Sequence, residues 1–311
     1  MTKNEKIIKK FYKTLEEKGY KGKIVNANRI SDLRKDIQNL HNQNQINSEF
    51  YEEYKHYLEF EVKADLPIIN SLFIISKPQP QFEAIFHWNN KRISLIIPPT
   101  YIHGLRVTNE MVELVNNILK DSGFKAVYAM LPQKTLATHC GLAEYGRNNI
   151  TYVPGMGSFH RLTTLYSDFP FEEDYWQERR MMDICKECSA CLNKCPTGAI
   201  PKDRFLLRVE KCLTYHNEHP ADVPFPDWID PKWHNCLIGC LHCQKVCPAN
   251  KKTIKWIEPG PEFNEEETNM ILKQISLDQL PDNTKNKLEE HDLIDIYDII
   301  PRNLSVILKE S

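Results

Sequence analysis

The sequence predicts an α+β chain in three consecutive parts: a mixed α/β domain over residues 1–178, a cysteine-rich module over 179–258 and a short acidic helical tail over 259–311. Three observations carry this division. Apolar residues recur at helical spacing in the first sixty positions and then give way to strand-like runs. Nine of the ten cysteines fall between positions 185 and 247. The tail holds twelve Asp or Glu against five Lys or Arg, a net −7.

Residues 3–19 and 31–42 read as helices, the second opening at Ser31 as its N-cap. Residues 48–60, SEFYEEYKHYLEF, read as a third helix whose aromatic stripe packs into a core. QFEAIFHWNNKRISLIIPP reads as two strands around a turn at Asn89 and Asn90. Residues 108–121 read as a helix closed by Gly123, and AVYAM, 126–130, as a short buried strand. EPGPE marks the end of the cysteine-rich module. Pro281 and Pro301 break the tail into short helices.

Composition narrows the class. Of 311 residues, 41% are hydrophobic and 26% charged, as in a soluble globular protein. The N-terminal stretch has neither a signal-peptide apolar core nor a twin-arginine pair. The longest apolar segments, LPIINSLFIIS and ISLIIPP, are too short to span a bilayer. A cytoplasmic protein without membrane association is expected, and in a reducing compartment ten cysteines point to metal ligation rather than disulfides. Residues 1–23 carry a net +5, with eight Lys against three Glu, which reads as a solvated helical face. The total charge of −2 gives no electrostatic case for nucleic acid, so tRNA is not an expected partner.

The chemistry lies in two runs. CKECSACLNKCP presents Cys185, Cys188, Cys191 and Cys195 before Pro196, the Cys-x2-Cys-x2-Cys-x3-Cys-Pro spacing of bacterial ferredoxins. Three thiolates at that pitch wrap one cubane and the fourth ligates another. A structural zinc site needs only four thiolates and has no use for the third and fourth cysteines at this spacing. CLIGCLHCQKVCP supplies Cys240, Cys243 and Cys247 but lacks the middle cysteine. Two [4Fe–4S] clusters need eight thiolates. Cys140 lies outside the module and reads as a small buried residue, so either Cys212 or Cys236 is surplus. Spacing does not choose between them.

CKECSACLNKCPTGAI, RVEKCLTYHNE and GCLHCQKVCPAN resemble the iron–sulfur module of the epoxyqueuosine reductases, cobalamin-dependent enzymes of queuosine biosynthesis, and the related module of the reductive dehalogenases. The resemblance implies one cluster on Cys185, Cys188, Cys191 and Cys247. It implies the other on Cys195, Cys212, Cys240 and Cys243, with Cys236 spare. Upstream, GLAEYGRNN (141–149) and PGMGSFHRL (154–162) resemble the segments lining the family's cobalamin site. That site lies in a fold similar to the flavin nitroreductases. The implied architecture is a nitroreductase-like mixed α/β cobalamin-binding domain followed by a ferredoxin-like double-cluster domain. Gly141, Gly146, Gly155 and Gly157 let backbone approach a planar ligand. Arg147, Asn148, Asn149 and Ser158 can hydrogen-bond the amides of a corrin rim. The family holds cobalamin base-off, so His139 and His160, which flank these segments, are not expected beneath cobalt. Flavin is the alternative ligand.

The resemblance breaks at VYAMLPQKTLATHC, residues 127–140, where the family has a general-acid aspartate and a Glu-Arg pair. No carboxylate is present, which speaks against epoxyqueuosine reduction itself. The aspartate position falls at Val127 or Tyr128 and the pair at Gln133 and Lys134. Tyr128 is the substitute proton donor, with Lys134 or Arg147 as the cation that lowers its pKa. Tyr101, His103, Arg106 and Tyr145 are weaker candidates on or near the loop PPTYIHGLR and the glycine segment. The long family members also carry a helical-repeat tail that helps grip tRNA, unlike the short acidic tail here.

The resulting expectation is an oxygen-sensitive oxidoreductase. Ferredoxin or flavodoxin feeds its clusters, the clusters reduce a corrinoid, and the corrinoid reduces an electrophilic small molecule or modified nucleoside. The alternative is an electron-transfer protein whose clusters serve a corrinoid or other cofactor on a partner.

Overall fold

The structure, a computed structural model, describes residues 1–58, 60, 66 and 68–309. In chain order the elements begin with α1 (Lys3–Glu17), β1 (Lys21–Asn26), α2 (Arg29–Asn42), α3 (Ser48–Tyr54) and β2 (Ser71–Pro78). There follow β3 (Gln81–Trp88), β4 (Lys91–Ile97), α4 (Gly104–Leu119), β5 (Ala126–Tyr128) and α5 (Gln133–His139). Next come β6 (Glu144–Tyr145), β7 (Thr151–Tyr152), β8 (His160–Ser167), α6 (Ala190–Lys194) and α7 (Leu213–Asn217). The chain closes with α8 (His242–Lys245), β9 (Ile257–Phe263), α9 (Glu265–Leu272), α10 (Asp282–Glu290) and α11 (Ile300–Lys309).

Two compact units result, and they follow a different division from the three consecutive parts. The first comprises Met1–Pro78, Leu105–Cys188 and Asp203–Leu206. The second comprises Gln79–Gly104, Ser189–Lys202 and Leu207–Ser311.

The first unit is built on an antiparallel sheet of order β1-β2-β8-β5. Residues 71–76 of β2 are all buried, so the strand reads as a continuous apolar run rather than an alternation. Phe73 and Ile75 face one side, where they pack with Phe11 of α1 and Met111 and Val115 of α4. Leu72 and Ile74 face the other, with Leu33 of α2 and Leu136 of α5. α1 opens on a capping box between Thr2 and Glu5 and buries Ile7, Phe11 and Leu15, spaced four apart on one face.

Several expectations for this unit change. α2 starts at Arg29 after Asn28; Ser31 is not its cap but donates its hydroxyl to Asn28 O at 3.0 Å. α3 buries no residue, so its aromatic stripe is not core. Phe50 instead stacks on Tyr54, with centroids 4.4 Å apart, and Tyr51 stacks on His41 at 3.9 Å. Residue 59 of the expected 48–60 helix lies outside the described residues. α4 begins at Gly104 rather than 108, since exposed Leu105 hides the first turn from an apolar pattern. Gly123, at φ +81°, closes it as expected. The AVYAM strand stops at Tyr128 on the sheet edge, and Tyr128 is 39% exposed rather than buried.

The second unit carries a sheet of order β4-β3-β9. Asn89 (φ 49°) and Asn90 (φ 59°) turn the β3–β4 hairpin, as the type I′ turn requires. EPGPE is not a boundary: it lies inside β9, which pairs parallel to β3 as an edge strand where proline is tolerated. Gly260 fits there because a Cβ would stand 2.9 Å from Glu83 O. The tail is likewise part of the core. Phe263 stacks on Phe86 at 5.1 Å, and Ile271, Leu288 and Leu304 complete the same cluster. Buried Glu267 takes Lys287 Nζ at 2.7 Å and the Thr284 hydroxyl at 3.0 Å. Pro281 and Pro301 stand at helix starts, where a missing N–H costs nothing. Among the described residues, no helix is long and apolar enough to cross a membrane.

Two stability predictions follow from the first unit. Phe73→Ala, in the central strand, should cost about 3–5 kcal/mol in denaturant unfolding. His160, the first residue of β8, is buried and donates from Nε2 to Thr151 O at 3.0 Å. Burial holds its pKa down to about 4 from 6.5. The neutral ring therefore stabilises the fold fully above pH 6.5, and this contribution is lost as pH falls from 6.5 toward 4. The loss is on the order of 3 kcal/mol. His160→Gln should flatten that part of the stability–pH curve relative to wild type; an unchanged slope would remove His160 as its source.

Candidate metal centre and neighbouring loops

All ten cysteines are free thiols. Four belonging to the second unit sit within one another's fields. Cys195 follows α6, Cys212 precedes α7, and Cys236 and Cys240 bracket the turn at Gly239. Burial raises the Cys212 thiol, and Cys195 raises it further. Burial also raises Cys240, to which Cys236, Cys212 and Cys195 add in that order. Cys236, fully buried, is pushed up to about 12 by burial, and Cys243 adds to the shift. Buried soft donors that repel each other as thiolates are the set that bound iron would relieve, because a coordinating thiol is deprotonated by the metal. This donor chemistry fits an iron–sulfur cluster, and the shared fields do not choose between Cys212 and Cys236. Among the described residues no three His, Cys, Asp or Glu side chains converge on one ion, a geometry that a cubane with one thiolate per iron does not require.

The first run is divided. Cys185 and Cys188 belong to the first unit, Cys191 and Cys247 to the second. Arg147, in the loop between β6 and β7, organises the first pair. Its guanidinium donates to Cys185 O, to Cys188 O at 3.2 Å and to Lys186 O at 3.5 Å. This arginine is thus a support of the cysteine turn.

The other glycine-segment residues also make internal bonds. Gly141 (φ +70°) ends α5 in a Schellman arrangement, with Gly141 N–H on Thr138 O at 3.2 Å and Leu142 N–H on Ala137 O at 2.9 Å. A Cβ on Gly146 would stand 2.5 Å from Asn148 Oδ1 and from the Tyr152 ring, so its close approach is to protein. Asn148 donates to Tyr152 OH at 3.0 Å and Asn149 to Phe205 O at 2.8 Å. Gly155 and Gly157, both at positive φ, form the turn closed by the Val153–Gly157 bridge, with Ser158 buried beside it.

Tyr128 ends β5 and Lys134 lies in the first turn of α5. Tyr101, in the second unit, donates its hydroxyl to Glu218, and burial with that carboxylate raises its pKa well above the usual value. Tyr145 is buried, bonded to Thr135 at 3.3 Å and pushed up to about 12 by burial. His103 lies 4.0 Å from Asp292, and Arg106 falls within α4. Cys140 is buried, and its thiol is pushed up to about 12 by burial.

One feature of the first unit had no signal in the sequence. A cleft of about 630 Å³ is lined by Asp36, His139, Arg179, Arg204 and Phe205, among others. His139 is satisfied there: Nδ1 meets Gln177 O at 2.5 Å, Nε2 meets Asp36 at 3.2 Å, and the ring stacks on Trp176. Arg179 closes the group on Asp36 at 3.0 Å. Asp36 lies more than a hundred positions from His139, too far apart for spacing to relate them.

Comparison with known proteins places these residues. Residues 184–250 match the family described as the 4Fe-4S double cluster binding domain. Epoxyqueuosine reductase of Bacillus subtilis (strain 168) is 29% identical over 175 residues, covering 54% of this chain and 44% of that protein. The Prochlorococcus marinus (strain NATL2A) enzyme is 35% identical over 121 residues, covering 39% and 37%. The aligned part is less than half the length of these curated relatives. In fold the likeness is wider. A Bacillus subtilis epoxyqueuosine reductase structure, solved with its catalytic loop swung out of the active site, covers 98% of this chain and 82% of its own, with TM-score 0.67 and 21% identity. Another epoxyqueuosine reductase, solved with an epoxyqueuosine-modified tRNA stem loop, gives TM-score 0.68 at 19% identity, covering 98% and 81%. The chain is thus similar in sequence, over part of its length, to the epoxyqueuosine reductases, shares their fold over nearly all of it, and carries a 4Fe–4S double-cluster domain at residues 184–250.

Proposed function

We propose that this chain is an iron–sulfur oxidoreductase of the epoxyqueuosine reductase type. Its clusters accept single electrons from ferredoxin or flavodoxin and pass them to a corrinoid in a nitroreductase-like first unit, which reduces an electrophilic bond of a small molecule or modified nucleoside. The observation that carries the reading is the double-cluster match laid over the half-buried cysteines Cys195, Cys212 and Cys240, each within the others' fields. Cys243 completes that set. Cys185, Cys188, Cys191 and Cys247 form the other, and Arg147 orients the turn that bears Cys185 and Cys188.

A corrinoid, when bound, supplies a strongly reducing, nucleophilic metal. The chain supplies position and a proton. Tyr128 with Lys134 is the proposed donor, since residues 127–140 hold no carboxylate. The low net charge argued against tRNA, but a relative of this fold was solved with a tRNA stem loop, so that argument loses its support.

A second reading has an observation of its own. Arg147, Asn148 and Asn149 bond to protein groups, and the acid is missing, as suits a protein whose clusters reduce an acceptor on a partner.

Anaerobic purification from cobalamin-fed cells, with iron and cobalt counted per chain, separates the two. About eight irons with one cobalt is expected for the corrinoid enzyme; about eight irons with no cobalt after reconstitution favours the partner protein. Iron well below about eight per chain overturns both. Cys212→Ala should lower iron by about four per chain, whereas Cys236→Ser should leave it intact; the reverse result would exchange their assignments. Failure to restore queuosine in a deficient strain would remove epoxyqueuosine reduction itself.

A further inference from the structure

We infer that α11 is a clamp on the second cluster: Arg302 and Asn303 hold the two separate segments that deliver Cys212 and Cys240, and thereby set how tightly that cluster is kept and at what potential it is reduced. The inference rests on the cluster reading above. It extends the metal centre to residues far outside the matched 184–250.

The geometry is a relay of buried amides. Asn303 Nδ2 donates to Asn217 O at 2.9 Å and to Leu237 O at 3.1 Å. Asn217 Nδ2 in turn donates to Gly239 O at 2.7 Å. Both asparagines are fully buried. Asn217 is the last residue of α7, which starts directly after Cys212; Leu237 and Gly239 lead into Cys240. Two sequence-distant segments are therefore tied together by one side chain of α11 and one of α7.

Arg302 fixes the relay. Its guanidinium donates to Asn303 Oδ1 at 3.2 Å, which leaves the Nδ2 end of that amide facing the two carbonyls. It also donates to His216 O at 2.7 Å and Val223 O at 2.6 Å, and packs over Phe225 at 4.1 Å. The same α7 turn is thus held from two residues of one helix.

Independent supports converge on the Cys240 loop. Leu237 N–H donates to Ile96 O at 3.0 Å, tying the loop to the end of β4. Gly239 is left-handed (φ +69°), and a Cβ there would stand 2.6 Å from the Tyr101 ring, whose hydroxyl is held by Glu218 beside Asn217. Potentials of such clusters follow thiolate placement, hydrogen bonding and solvent access. A loop pinned by buried donors fixes all three, and release of the donors changes them at this cluster alone.

The test compares full-length wild type, Asn303→Ala and Arg302→Lys, all purified anaerobically. Iron per chain, both midpoint potentials by EPR-monitored titration, and iron release to a chelator are measured. In either variant one midpoint potential should move while the other stays, and about half the iron should leave at least roughly tenfold faster than in wild type. Arg302→Lys keeps the charge and the buried amide, so it reports on the clamp if Asn303→Ala does not fold. Unchanged potentials and release rates would overturn the clamp. So would both potentials moving together with all the iron leaving at one rate, which describes general loosening. A wild-type protein with fewer than about eight irons would instead defeat the cluster reading beneath it.

Discussion

Backbone carbonyls held by buried side-chain donors are the constraint that places the cysteine-bearing loops of the second unit. Cys212, Cys236 and Cys240 each carry a desolvation penalty as thiolates, and their neighbours add to it. Burial keeps such thiols neutral until a metal takes their protons. The chain places them by anchoring backbone instead of sulfur. Loop carbonyls at Cys185, Cys188, Leu237 and Gly239 all accept from side chains: Arg147 in the first unit, Asn303 and Asn217 in the second. A side chain that donates to the carbonyl leaves the sulfur free for metal, which a direct bond to the thiol would not.

What was legible in the sequence was local. The ferredoxin spacing, the Asn89–Asn90 hairpin and the Gly123 cap each depend on a few adjacent residues, and each recurs in the structure or in the family match. The central sheet was not legible. β2 is buried on both sides and has no alternation, so LPIINSLFIIS registered only as an apolar run too short for a bilayer. The strand β9 was misread for the opposite reason. Pro259, Gly260 and Pro261 are boundary residues by local rule, yet an edge strand accepts proline and a close approach to Glu83 needs glycine. The tail was misjudged by charge. Its acidic residues cover a face, but Leu288, Ile300 and Leu304 lie in the core of the second unit.

The glycine segments show why a motif and a site are different claims. Gly141 is demanded by the end of α5, Gly146 by Asn148 and Tyr152, and Gly155 by its turn. Each glycine has a backbone reason that holds with or without a ligand. The segment's polar side chains similarly have protein partners, including Arg147, which donates to the carbonyls of Cys185, Cys188 and Lys186. The resemblance over 141–149 therefore carries information about how the cysteine turn is supported as well as about what the segment faces.

That distinction bears on where the active centre of such a protein ends. The matched family covers 184–250, the span that contains the thiols. The groups that hold the thiols in place come from the end of β4, the loop after it, the β6–β7 loop and α11, at positions 96, 101, 147 and 303. None of these is marked by spacing, because each acts on a backbone carbonyl, a packed glycine or an amide rather than on a metal. Substitution of a ligand would remove a cluster, whereas substitution of a side chain that donates to a loop carbonyl would leave the sulfurs and change their geometry. In a double-cluster protein, loop anchoring provides a way to adjust the potential of one cluster without altering the ligand set.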